Sequence, residues 1–418
     1  MSRDLLVLIE TGIRSGPRFV REARRLGLHP VLLARNPSRL NYVTAGEVDA
    51  VVVDTGDTQA VLHACTQLTS SDTIAGVTTT SEPHVATVAA VCHHLGLPGP
   101  DHSAVTRCTD KFIQRERLAQ AGIATPAYRL ATDVKLAAKF AREIGLPVIV
   151  KPVTGRGSSG VRLCRDTDEV IEQTNFLLAG NQYRPSPPKV LIEEFVIGPF
   201  CDVETLNGQS VGVTGGDFCE LPYFTYSAFN FPAELPSKDE KSAVAVVERA
   251  LQALNLGWGP VNTELRISKD GPVIIEVNPR MSGSVVPDLI KLASGLDIVA
   301  EAIKIATGRA AVLRRIRSHT AAVRYLMADR EGVLGRIEGI EKALKVPDIV
   351  EIVVSASEGD YVARQGDTRD HLGYVVAASP SPERTAMALQ KACNLIRIPL
   401  GDHKQKRPLA ETVAAPTA

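Results

Sequence analysis

Three things are missing from this 418-residue chain, and each closes off a class of function. It has no net charge, since Lys plus Arg and Asp plus Glu number 47 each. Without an excess of either sign there is no bulk field to hold nucleic acid or an anionic membrane, so any anionic ligand must be met by local clusters. It has no long apolar run, and nothing approaches the roughly 18 residues that a membrane span needs. The opening Met1-Ser2-Arg3-Asp4 leads into a short apolar stretch that ends at Glu10, too short for the core of a secretory signal. It also has no paired-cysteine motif. Seven cysteines, an odd number, are scattered at positions 65, 92, 108, 164, 201, 219 and 393. That favours reduced thiols used as core filler over disulfides or zinc, and a cytoplasmic setting.

What is present is ordinary in bulk: 44% hydrophobic and 22% charged residues, as in a soluble globular protein. Short apolar strands (Leu5 to Ile9, Val31 to Leu33, Val51 to Val53, Ile74 to Val77) alternate with helical stretches up to Leu95 and Gly96. That alternation predicts a parallel, doubly wound sheet over residues 1 to about 105. Gly12 and Gly16 in its first turn fit neither a dinucleotide nor a P-loop pattern, and a substrate-facing and a structural role both stand. Thr78 to Glu82 follows a strand and either lines a cleft or caps a helix.

From Asp110 the character changes to α+β, with helices over 111–121, 133–144 and 241–256, the last ending at Gly257. Strands over Val261 to Ile267 and Val273 to Val277 flank the turn Lys269-Asp270-Gly271, which predicts an antiparallel hairpin. After Gly308 a third segment carries strands at 320–327 and 349–355 and a helix at 382–396, and residues 401–418 read as a disordered tail.

Between Leu146 and Gly160 a β-branched strand delivers Lys151 and a Gly/Ser loop follows at once. A fixed cation beside a loop of unencumbered N–H groups suits a polyphosphate. The lysine precedes the glycines, so this is no Walker loop, and an ordinary glycine-rich hairpin is the competing reading. Val190 to Gly198 places Glu193 and Glu194 after a buried strand, before Phe195 and Val196: an interdomain hinge offering backbone to a base edge, or an amphipathic strand end. On the hairpin, Glu264 and Glu276 can stand side by side. Two bare carboxylates repel, so the pairing makes sense around a divalent cation, with Asn278 adding a neutral oxygen on the same face. Hard oxygen ligands point to Mg²⁺ or Mn²⁺. Arg280 adds a planar fork for a carboxylate or a transferring phosphate.

Taken in order, Asp110-Lys111, Lys151 with its loop, Glu193-Glu194-Phe195-Val196, Glu264 and Glu276-Val277-Asn278-Pro279-Arg280 resemble the ATP-grasp superfamily over residues 5 to 310. Phe231-Pro232-Ala233, Leu256 to Pro260 and Ala322 to Leu334 resemble its L-amino acid ligases, which form dipeptides and related amides. The resemblance implies an ATP-grasp fold: an N-terminal parallel α/β domain (1–108), an ATP-grasp domain (109–310) with a mobile lid at about 130–195, an antiparallel catalytic core, and a small C-terminal α+β domain (311–400). It implies ATP and two small-molecule substrates, a carboxylate and an amine, joined through an acyl phosphate. Neither nucleic acid nor membrane is a partner, and a homodimer is compatible with the family.

Carried over residue by residue, the resemblance places Lys111, Lys151, Ser158, Ser159, Gly160, Glu193, Glu194, Phe195 and Val196 at the nucleotide. Glu264, Glu276 and Asn278 would hold two metal ions. Arg280 and Lys151 would be catalytic, with Arg280, Ser282, Gly283, Ser284 and Glu82 at the substrate. His84 is a candidate base. Two departures stand out. Relatives commonly have Gly-x-Glu after the hinge, with the Glu on the ribose, where this chain has Gly198-Pro199-Phe200; Asp202, Glu204 or nothing takes that role. Many relatives have His-Thr-Glu where this chain has Asn262-Thr263-Glu264, which bears on the amine acceptor. Other ATP-grasp chemistry, such as carboxylation, and a nucleotide-binding regulator without turnover are the alternatives.

Overall fold

The computed structural model describes residues 2–180 and 189–401. Gly401 lies in a short strand, Leu400–Gly401, and the rest of the expected disordered tail lies outside the described residues.

In the N-terminal domain, strand Asp4–Ile9 has five consecutive buried residues because helices cover both of its faces. It pairs in parallel with His29–Ala34 on one side and Thr73–Thr78 on the other, and Asp49–Val52 closes the order at one edge. The expected parallel sheet is therefore present. Helix Val85–Leu95 ends at Gly96, whose φ of 65° is the left-handed cap the sequence signals.

The centre of the molecule is an eight-stranded, wholly antiparallel sheet. Its order runs Gly271–Asn278, Pro260–Ser268, Phe200–Leu206, Gln209–Phe218, Tyr226–Phe231, Thr320–Leu326, Gly373–Ser379 and Ile349–Val354. Strands from beyond residue 319 thus continue the same sheet, through pairing of Tyr226–Phe231 with Thr320–Leu326. Alternation along the strands decides which residues meet the core. Cys201, Val203, Leu265, Ile267 and Val277 pack under helix Ser237–Leu254, with Val247, Ala250 and Leu251. Their neighbours in sequence necessarily face the other way. The long helix ends at Asn255 (φ 58°), not at Gly257; asparagine tolerates the left-handed cap, which the nearby glycine masked.

A second antiparallel sheet (Tyr128–Ala131, Val190–Glu194, Val148–Pro152, Arg162–Cys164) carries helices Val134–Ile144 and Thr167–Ala179. Asp133 and Asp166 cap those helices by accepting N–H bonds from Leu136 and Glu169. Ala137, Ala141, Val148, Val150, Val170 and Ile192 form its own core. All seven cysteines are free, five of them buried. Among the described residues no helix is long and apolar enough to cross a membrane.

Candidate active site

The eight-stranded sheet and the four-stranded antiparallel sheet face each other across a cleft. On the cleft side of the large sheet, register builds a small polar array. Asp202, Glu264 and Glu276 are partners across three adjacent strands, and two residues along, Glu204, Asn262 and Asn278 form a second row. The hairpin reading of the sequence is realised in this pairing of Glu264 with Glu276.

Asp202, Glu204, Asn262 and Asn278 are buried and Glu264 and Glu276 half-buried, and burial acts differently on the carboxylates. Glu264 is pushed up to about 7 by burial and by the neighbouring Glu276 charge. Burial acts on Glu276 too, but Lys111 and Lys151 outweigh it and hold that carboxyl below its ordinary range. Asp202 is pushed well up by burial and by Glu264, and its Oδ1 has no hydrogen-bond partner. Crowded carboxylates with an orphaned oxygen are the donor chemistry of a hard divalent cation. Among the described residues no three His, Cys, Asp or Glu side chains converge as a self-sufficient ion site. Two carboxylates and an amide are what Mg²⁺ takes from a protein when phosphates and water fill the remaining positions. The residues fit that ion.

Opposite the array stand the lysines. Lys111 opens helix Lys111–Gln120 behind Asp110, whose carboxylate accepts the N–H bonds of Phe112 and Ile113. Its Nζ lies 2.9 Å from Glu276 and donates to the Gly155 carbonyl at 2.8 Å. Burial works against its charge, but Glu276 and Glu82 raise its pKa. Lys151 Nζ lies 2.5 Å from Glu193. Because Lys151 shares that carboxylate with Arg115, burial prevails and its pKa falls. Glu193 itself, although buried, is held ionised by the two cations.

At the end of the cleft toward the N-terminal domain, Arg280 Nη2 donates to Glu82 Oε2 at 3.0 Å. Arg280 also stands 3.5 Å from Asn278 Oδ1. The glycine loop closes the other side through Gly155, Arg156, Gly157, Ser158 and Ser159. Gly157 (φ 62°) carries no side chain where a Cβ would come within 2.8 Å of Thr368 Oγ1.

Most of the expected residues therefore meet: Glu82, Lys111, Lys151, Ser158, Ser159, Glu193 to Val196, Glu264, Glu276, Asn278 and Arg280 all line the cleft. Others stand behind the lining. The Gly160 carbonyl accepts a bond from Gln173 Nε2, the Ser282 N–H donates to Glu204, and Ser284 Oγ hydrogen-bonds Tyr325. Gly283 follows the same turn. Glu194 is exposed and accepts the Ala127 N–H. Asp202, offered for the ribose, sits in the carboxylate row and does not reach the lining. Asn262 donates to Glu204 Oε1 at 2.9 Å, so it serves the array's second row.

Several contributors escaped sequence reasoning. Arg115 is fully buried, bonding Glu193 at 2.8 Å and the Ile275 carbonyl. Gln114 exchanges two 2.8 Å bonds with the Val277 backbone. Both sit mid-helix in a polar-looking stretch, and the packing of that helix against strand Gly271–Asn278 and its neighbouring elements buries them. Phe200, Phe218, Phe224 and Tyr226 form an aromatic wall with Phe195. The one sequence signal was Phe200 itself.

Two facing antiparallel sheets that hold lysines, paired carboxylates and a glycine loop define a phosphate-handling cleft of the ATP-grasp type. Family models agree along the chain: ATP-grasp N-terminal domain over residues 20–99, ATP-grasp domain over 144–288, and L-amino acid ligase C-terminal domain 2 over 324–401. An uncharacterized protein, y4rH of Sinorhizobium fredii, is 41% identical over 394 residues, 94% of this chain and 82% of its own length. Carnosine synthase 1 of Homo sapiens is 26% identical over 73% of this chain, which spans 39% of that protein. The crystal structure of an L-amino acid ligase from Bacillus licheniformis superposes with a TM-score of 0.83 at 23% identity, covering 96% of this chain and all of that one, a likeness of fold. The chain belongs to the ATP-grasp superfamily of carbon–nitrogen ligases, on the branch with the L-amino acid ligase C-terminal domain.

Proposed function

We propose that this chain is an ATP-dependent ligase that joins a small carboxylic acid, an amino acid, to an amine through an acyl phosphate. One observation carries the reading: the Arg280–Glu82 pair stands at the end of a cleft where two lysines and paired carboxylates already gather. An amino acid is a zwitterion. Its carboxylate and ammonium can replace the internal pair, leaving both side chains satisfied.

In this reading a carboxylate oxygen attacks the γ-phosphorus, the bond from that phosphorus to the β,γ-bridging oxygen breaks, and ADP departs. The amine lone pair then attacks the acyl carbon, phosphate leaves with the bonding electrons, and the amine gives up a proton. Lys111 and Lys151 neutralise the polyphosphate, and the backbone N–H groups of Ser158, Ser159 and Gly160 cover it. Arg280 stabilises charge on the transferring phosphoryl group and the acyl oxygen. Glu264, Glu276 and Asn278 would hold Mg²⁺ or Mn²⁺, two ions in this account, whose charge offsets that of the phosphates. His84, its Nδ1 3.1 Å from Ser81 Oγ, remains a candidate proton acceptor; burial lowers its pKa and keeps it neutral.

The likeness to an L-amino acid ligase and to carnosine synthase 1 supports the choice of an amine as second substrate. The test is ADP release from the purified chain across pairs of amino acids. Release that needs both members supports the ligase. Release driven by bicarbonate alone points to a carboxylase, and nucleotide binding without turnover to a regulator.

A further inference from the structure

Arg266 is a cation of the cleft with no role in this chemistry. Arg266 lies on strand Pro260–Ser268, two residues beyond Glu264 on the same face, or about 7 Å along the strand toward the hinge. Its guanidinium lines the cleft. It is flanked by rings, its central carbon 5.6 Å from the Phe195 centroid and 5.5 Å from that of Phe218. Nη1 donates to the Gly198 carbonyl at 2.8 Å. Arg115 and Arg280 each have a carboxylate; burial depresses Arg266, and among the described residues no carboxylate opposes it. Burying a guanidinium without an acid is unfavourable, and ring contacts offset only part of that cost.

Its position defines what it can meet. On one side is the hinge at Phe195 and Val196, where backbone is offered to a base; on the other are Glu264, Lys111 and Lys151, which hold phosphates. The part of a nucleotide between base and phosphates is the sugar. Neither acid considered for that role is free to serve. Asp202 does not reach the cleft lining, and Glu204 accepts from Asn262 and Ser282. Phe200, the strand partner of Arg266, offers no polar atom.

We propose that Arg266 binds the sugar of the nucleotide, donating a hydrogen bond to a ribose hydroxyl oxygen. The inference rests on the nucleotide reading above, and binding measurements separate the two because they need no amide product.

The test is calorimetric binding of ATP, 2′-deoxy-ATP and 3′-deoxy-ATP with Mg²⁺, in the absence of amino acids. For the native chain, at least one deoxy analogue should bind roughly tenfold more weakly than ATP, the usual loss of a charged hydrogen bond. In Arg266→Met that gap should close; in Arg266→Lys, which keeps a donor, part of it should remain. Equal binding of all three nucleotides to the native chain overturns the proposal. So does a gap that survives in Arg266→Met, or a uniform loss for all three, which marks packing or contact with the base. ATP that does not bind at all overturns the nucleotide reading itself.

Discussion

Lys151 Nζ and Glu193 Oε2 stand 2.5 Å apart in a site that solvent barely reaches, with Arg115 on the other oxygen of the same carboxylate. Glu193 thus holds Lys151 in place, and in the proposed reading contact with an adenine edge falls to the backbone. Replacing Glu193 by Gln leaves two buried cations against a neutral amide. The expected cost is about 3–5 kcal/mol of unfolding free energy, read from urea titrations. A variant as stable as the native chain would contradict the arrangement.

Glu276 both neutralises Lys111 and faces Glu264. Glu276→Gln should slow ADP formation by roughly a hundredfold or more, the scale of losing one preorganised electrostatic partner. The Mg²⁺ concentration for half-maximal rate should also rise. Retention of the native rate would remove Glu276 from the site.

Gly198 has a φ of 147°, and a Cβ there would lie 1.9 Å from the Ile267 carbonyl oxygen. Gly198→Ala should lower stability by at least about 3 kcal/mol, because both backbone strain and a main-chain clash oppose it. Gly257, with open space where a methyl would stand and no left-handed φ, is the control. Gly257→Ala should shift the thermal midpoint little.

His371 stacks on Tyr325 with ring centroids 3.9 Å apart, and its Nε2 lies 2.8 Å from the Tyr226 carbonyl. Burial pushes its pKa down to about 4, with the Tyr226 bond and Asp367 opposing and Arg14 assisting. The unfolded chain takes up this proton near pH 6.5, whereas the folded chain resists until near 4. Stability is therefore full above about pH 6.5 and falls as pH drops toward about 4, by up to about 3 kcal/mol from this group. His371→Gln should remove that part of the slope. Identical pH profiles for the two proteins would rule it out.

What could be read in advance follows from the range of the interactions. Strand alternation and a tight turn are local, so the parallel N-terminal sheet and the pairing of Glu264 with Glu276 were legible. The end of helix Ser237–Leu254 was misplaced because Asn255 competes with a nearby glycine for the same cap. Gln114, Arg115 and Arg266 carry no local signal at all. Their burial depends on which strand or helix lies opposite, and that is settled by contacts between distant segments.

The central claim is that an amide forms through an acyl phosphate. It is tested most directly by supplying the carboxylate substrate labelled with ¹⁸O in both oxygens and analysing the phosphate released by mass spectrometry. One labelled oxygen in that phosphate is the predicted result, because the carboxylate oxygen that attacks phosphorus leaves with it. Product formation with unlabelled phosphate would contradict the account.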